Sequence, residues 1–228
     1  IDAVIRAVDG DTCAVMLEPV QGEGGVNVAD KQYLVKLRKL CDTKKVLLIF
    51  DEIQCGMGRT GHLFAYQGFS VPPDVITLAK ALGGGFPIGA LLAKESVAGC
   101  FGPGDHGTTF GGNPLATAAA LAAVSAIIGE DLPKRSLEMG NHLMALLGKR
   151  TEGMDAVVDI RGRGLMVGVE LDREGKEVVA RMMDKGVLSN CTADRVIRFV
   201  PPLNVPREDL ERAVDVFVES LREVCAGD

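Results

Sequence analysis

Tryptophan is absent from this 228-residue chain, and aromatic residues make up only 4% of it. A core built on large rings is excluded, so filling falls to Leu, Val, Ile, Ala and Met. The six cysteines, at positions 13, 41, 55, 100, 191 and 225, include no C-x-x-C pair. That spacing argues against a zinc site or a disulfide framework and for free thiols in a reducing cytoplasm. The three histidines, His62, His106 and His142, lie far apart without metal-ligand spacing, so no metal is expected. No run approaches 18 uninterrupted apolar residues, which leaves no candidate membrane helix. Positive charge is in deficit, 25 Lys and Arg against 31 Asp and Glu, which argues against nucleic acid or an anionic membrane as partner. A signal-peptide layout and an initiating Met are also missing; the start, Ile1-Asp2-Ala3-Val4, reads like the middle of a larger protein.

Apolar residues supply 47% of the chain, enough for a substantial core. Strand and helix patterns alternate at first: a strand over 13–18, a helix capped by Asp30 with Tyr33, Leu34, Leu37, Leu40 and Cys41 on one face, then short β-branched runs. This order predicts an α/β domain with a largely parallel sheet over residues 1–130. Leu115–Ile128 is apolar nearly all round and predicts a buried helix. Gly129-Glu130-Asp131-Leu132-Pro133 marks a hinge into a second unit, 131–228. There the pattern predicts a small α+β domain. A helix runs to about Arg150, and a glycine-rich strand pair follows around Val157–Leu171. Next comes a helix with Val178, Val179, Met182 and Met183 inward, closed by Gly186, then a strand over 196–200. The last helix carries Leu210, Val214, Phe217, Leu221 and Val224.

Two strand ends carry the chemistry. Val46–Phe50 runs into Asp51-Glu52-Ile53-Gln54, and Val75–Ala79 runs into Lys80 and then three glycines, Gly83, Gly84 and Gly85. Opposite charges at the carboxyl edge of a parallel sheet suggest one shared ligand. A lysine there can form a Schiff base and an aspartate can keep a pyridinium protonated, the pair that pyridoxal phosphate chemistry needs. The glycines read as room for close approach of backbone to that ligand. Glu18, before Pro19-Val20-Gln21-Gly22-Glu23, brings two more carboxylates to the same edge, unless they are solvated acids of a turn. His106–Pro114 places hydroxyls among glycines before a helix, which suits either a phosphate contact or a helix cap. Arg198, in an apolar strand before two prolines, is either an ion-pair partner or a bidentate carboxylate binder. Gly56-Met57-Gly58-Arg59-Thr60-Gly61 matches G-x-G-x-x-G, but Pro72-Pro73 arrives too soon for a crossover helix, so a structural turn is expected and not a dinucleotide site.

Taken together, Glu18–Gly25, Asp51–Gln54, Leu78–Ala90, His106–Pro114 and Ile197–Leu203 resemble the class III, pyridoxal phosphate-dependent aminotransferases of fold type I. The resemblance covers nearly the whole chain and is strongest to the members acting on acetylornithine. It implies transfer of an amino group from N-acetylornithine to 2-oxoglutarate, giving N-acetylglutamate 5-semialdehyde and glutamate, in arginine biosynthesis. Ornithine, 4-aminobutyrate and succinylornithine stay open as amino donors, and a truncated subunit without turnover is a second reading. By resemblance, Lys80 is the Schiff-base lysine and proton shuttle, Asp51 pairs with the pyridinium nitrogen, and Gln54 contacts the phenolic oxygen. Thr109 would bond the cofactor phosphate of the neighbouring subunit in a homodimer. Glu23 and Arg198 would form a carboxylate gate, with Glu18 also on the substrate side. The family's long N-terminal portion holds a phosphate-binding turn, a ring-stacking aromatic and a substrate-binding arginine, none of which is found in this sequence.

Overall fold

The computed structural model describes residues 1–227. The chain separates into two compact units. The first comprises Ile1–Pro19, Ala29–Met57 and His62–Glu130; the second comprises Val20–Val28, Gly58–Gly61 and Asp131–Asp228. Two short stretches from the N-terminal part of the sequence thus join the second unit, which no sequence signal marks.

The first unit runs α1 (Asp2–Ala7), β1 (Ala14–Leu17), α2 (Lys31–Lys44), β2 (Leu47–Asp51), α3 (Ala65–Phe69), β3 (Val75–Leu78), a 3-10 turn (Lys80–Gly83), β4 (Ala90–Ala93), α4 (Glu95–Ala98) and α5 (Pro114–Gly129). Its sheet has the order β1-β2-β3-β4. The first three strands are parallel and β4 is antiparallel to β3, so the carboxyl ends of β1, β2 and β3 share one edge. Helix α2 starts as expected: Asp30 accepts from the Tyr33 amide at 2.8 Å, and Leu34, Leu37 and Cys41 are buried. At the opposite edge Asp74 ties the unit together, accepting from the Leu48 amide (2.9 Å), Arg38 (2.7 Å) and Lys94 (2.8 Å). Burial raises the pKa of this carboxyl, but the Leu48 amide, Lys94 and Arg38 outweigh it and bring it down to about 2.

Helix α5 forms where expected, capped by Asn113 on the Ala116 amide at 2.9 Å, but it is not buried all round. Only Ala116, Ala120 and Ile127 are buried, whereas Leu115, Leu121 and Ile128 are 65%, 69% and 58% exposed. A sequence apolar on every side gives no phase from which the packed stripe can be read.

The second unit holds α6 (Leu132–Arg150), β5 (Val157–Arg163), β6 (Met166–Leu171), α7 (Lys176–Asp184), β7 (Asn190–Thr192), β8 (Val196–Phe199) and α8 (Arg207–Ala226). Its antiparallel sheet has the order β5-β6-β8-β7. Val167, Val169, Ile197, Phe199, Phe217 and Leu221 are among the residues of its core. Phe199 and Phe217 meet edge to face, centroids 5.7 Å apart. All five residues read as the inner face of the last helix are buried. In α7, Val178 and Met182 are buried but Met183 is 56% exposed, because the helix offers its core a narrower stripe than the sequence suggested. Gly140 lies so close to Gly164 that an added Cβ would overlap the Gly164 carbonyl, so α6 needs glycine at its crossing with the β5–β6 turn.

Candidate active site

Asp51 ends β2 and stands opposite Thr77 of β3 in the register. Residues paired this way in a parallel sheet project to the same face. The Asp51 carboxylate is held by one oxygen, Oδ1, which accepts from the Ile53 amide at 3.0 Å. Its backbone carbonyl accepts from the Cys55 thiol at 3.6 Å. The buried Thr77 hydroxyl has no hydrogen-bond partner among the described residues. Three residues beyond Thr77 comes Lys80, exposed, with φ +49°. A left-handed backbone at a residue with a side chain costs of order 1–2 kcal/mol, and such strain concentrates at functional sites. Glu18 follows the last residue of β1, one step beyond the Leu17–Phe50 register pair, and is half-buried. Gln54 is half-buried in the turn after β2.

The carboxyl edge of this sheet therefore gathers Glu18, Asp51 and Lys80, whereas Glu23, read in the sequence as a carboxylate of the same edge, falls in the second unit. A pyridoxal group fits these residues: a lysine for the aldehyde, a carboxylate with one oxygen already oriented, and a buried hydroxyl lacking a partner beside it. The glycines after Lys80 also answer a backbone need that the sequence did not show. Gly84 and Gly85 take φ +59° and +110°, backbone that side chains resist, and Gly83 is packed against Ile88. Thr109 lies on an exposed loop, 101–112, rather than on the sheet, and the cap of α5 is Asn113, not a threonine. The Gly56–Gly61 segment is a turn, with Met57, Gly58 and Gly61 all at positive φ, but a helix does fit before Pro72-Pro73: the five-residue α3 lies in the crossover from β2 to β3.

Glu52, adjacent to Asp51, is fully buried. Its carboxylate accepts from the amides of Ala65 (2.6 Å) and Tyr66 (2.9 Å), so it caps α3 and ties that helix to the end of β2. Burial pushes its pKa up to about 7, against the pull of the Tyr66 and Ala65 amides. Sequence reading left Glu52 without a role, although strand alternation alone turns it away from the face that Asp51 occupies. With the folded pKa raised from 4.5 to about 7, the protonated form is the one that folding favours. Stability from this group is present below pH 4.5 and is lost as pH rises through 7, by about 3 kcal/mol in all. Glu52→Gln should flatten that slope. Urea unfolding of both proteins from pH 4.5 to 8 checks it, and a slope that persists unchanged in the variant would assign the pH dependence to other groups.

In the second unit, Glu23 and Arg198 come together at 2.9 Å. Arg198, on β8, is 8% exposed. Its Nη1 also donates to the Gly22 carbonyl at 2.7 Å, and its Nε to Asn190 Oδ1 at 3.1 Å. The loop that carries Glu23 is cinched by a Val20–Val28 bridge and by Asn27, which donates to Gln21 and to the Gly24 carbonyl. Arg161 clamps the same loop, donating from Nε (3.0 Å) and Nη2 (2.7 Å) to the Gly25 carbonyl. Neither Asn190 nor Arg161 was singled out in the sequence. Arg161 carries a faint signal, as a charge between glycine and apolar residues of a strand.

The chain belongs to the class-III aminotransferase family, whose pattern it matches over residues 1–221. It is 50% identical over 226 residues to acetylornithine aminotransferase of Methanocaldococcus jannaschii, covering 98% of this chain and 56% of that protein. It is 49% identical over 216 residues to ornithine aminotransferase 2 of Staphylococcus saprophyticus, covering 94% and 54%. A solved ornithine aminotransferase of Plasmodium yoelii superposes with a TM-score of 0.92 at 33% identity, covering 97% of this chain and 60% of that one. The chain spans little more than half the length of the curated relatives it matches. The fold is that of the pyridoxal phosphate-dependent aminotransferases, and pyridoxal phosphate is the family's cofactor. Among the described residues no single helix is long and apolar enough to cross a membrane.

Proposed function

We propose that this chain contributes the catalytic lysine and the cofactor-holding carboxylate of a cytoplasmic, homodimeric aminotransferase that moves an amino group from N-acetylornithine to 2-oxoglutarate. The observation that carries the reaction class is the left-handed Lys80 at the sheet edge, one strand from an Asp51 whose carboxylate is fixed by the Ile53 amide. The amino donor is supported by the 50% identity to an acetylornithine enzyme. Ornithine remains the second reading, because an ornithine aminotransferase is 49% identical.

Bound pyridoxal phosphate supplies an electron sink for the carbanion at the substrate Cα. Lys80 Nζ holds the cofactor covalently at rest and serves as the base that takes the Cα proton. Asp51 keeps a proton on the ring nitrogen by placing a fixed negative charge beside it. Gln54 donates toward the ring's phenolic oxygen, and Glu18 lies on the substrate side. Thr109, on its exposed loop, is assigned to the cofactor phosphate of a second copy of the chain. Arg198 binds a distal or α-carboxylate of 2-oxoglutarate and glutamate, and Glu23 covers it when the amino donor's far end must fit. Asp51→Ala should retain cofactor but cut the rate by at least about 100-fold, since the fixed charge that stabilises the transition state is lost. The cofactor's absorbance and single-turnover rates at neutral pH check both halves of this. A near-normal kcat would make Asp51 structural.

A further inference from the structure

β7 is an edge strand only three residues long, yet two of its side chains serve the Glu23–Arg198 pair. Asn190 stands opposite Arg198 in the register, and its Oδ1 accepts from Arg198 Nε at 3.1 Å. Two residues on, and so on the same face of the strand, the buried Thr192 hydroxyl donates to the Glu23 carbonyl. Besides the Glu23 carboxylate, Asn190 Oδ1 and the Gly22 carbonyl anchor the guanidinium. The two members of the ion pair differ in exposure: the Arg198 side chain is 9% exposed and that of Glu23 is 67% exposed. The main chain at Glu23 is pinned by Thr192, whereas its carboxylate reaches into solvent.

We infer that Asn190 is a positioning residue, which keeps the Arg198 guanidinium aimed after the Glu23 carboxylate has swung away, so that an incoming dicarboxylate meets an ordered cation. This rests on the reading of Arg198 as the substrate-carboxylate site. An amide suits the task better than a carboxylate does. It satisfies the buried Nε–H without cancelling the charge that must attract the ligand. Binding to a guanidinium already in place avoids the entropy of ordering a long side chain at the moment of capture.

The test uses the cofactor-loaded protein and glutarate, a dicarboxylate that cannot react, with affinity read by titration calorimetry. Asn190→Ala should weaken glutarate by roughly tenfold or more, the usual worth of a hydrogen bond to a charged group. The KM for 2-oxoglutarate should rise by a similar factor with kcat at saturation little changed. Asn190→Asp keeps the acceptor and the shape but sets a second carboxylate on Arg198. Its thermal midpoint should match that of the unsubstituted protein, and its glutarate affinity should fall by at least as much as in Asn190→Ala. Should the alanine variant fail to fold, the aspartate variant decides alone. Arg198→Ala is the control. If it abolishes glutarate binding while both Asn190 variants bind normally, the role of Asn190 is refuted and the carboxylate site stands. If Arg198→Ala binds glutarate normally, the carboxylate site is refuted and the role of Asn190 with it.

Discussion

Lys80→Ala should abolish amino transfer, with a loss of about 10,000-fold or more, and with it the covalent, borohydride-reducible attachment of the cofactor. The size follows from removing both a covalent anchor and a general base, the latter alone contributing 100- to 10,000-fold. No neighbouring lysine can stand in. Lys94, the other lysine at a strand end of this sheet, follows β4, which runs antiparallel to β3. It therefore lies at the opposite edge, in an ion pair with Asp74 at 2.8 Å. Borohydride reduction followed by peptide mapping, together with single-turnover rates, makes the measurement. Wild-type turnover in the variant, or a label on any other lysine, would remove Lys80 from the chemistry.

Arg198→Ala and Glu23→Ala should divide the two half-reactions between them. Truncating one member of a buried, hydrogen-bonded charge contact costs about 2–5 kcal/mol, or roughly 30- to several-thousand-fold. Arg198→Ala should therefore slow the half-reaction with glutarate-like substrates by that factor. The Glu23 side chain is 67% exposed, so water can solvate its carboxylate once the ion pair with Arg198 opens. Glu23→Ala should spare or favour glutamate and impair an acylated or basic amino donor, which then faces an uncovered cation. Absorbance-monitored single turnovers with each substrate separate these effects. Equal losses in both half-reactions for both variants would reduce the pair to a structural salt bridge.

Much of the candidate site was legible because its residues sit where strand patterns end. A carboxylate after Phe50 and a lysine after Ala79 break apolar runs, and such breaks need a reason. The parallel order of β1, β2 and β3 was legible for a related reason, since helical segments separate the strands. The carboxylate at Glu52 was not, because its partners are two backbone amides thirteen and fourteen residues away, and backbone donors leave no mark in a sequence. Asn190 and Thr192 escaped notice because β7 is too short to show alternation. The exposed apolar side of α5 was invisible because composition reports hydrophobicity and not what covers it.

The two early stretches that join the second unit set an order on its assembly. Glu23 and Gly25 leave the ribosome well over a hundred residues before the arginines that clamp them, Arg161 and Arg198, which are 136 and 175 positions further on. At the usual pace of synthesis that interval is of the order of ten seconds. Throughout it, the glycine-rich loop carrying Glu23 has neither its clamp nor its ion pair. The small unit thus closes around a segment made long before the rest of it, and residues 131–228 expressed by themselves would present Arg161 and Arg198 without the carbonyls that hold them. Cutting this protein at its apparent hinge would divide the Glu23–Arg198 ion pair, not merely the fold.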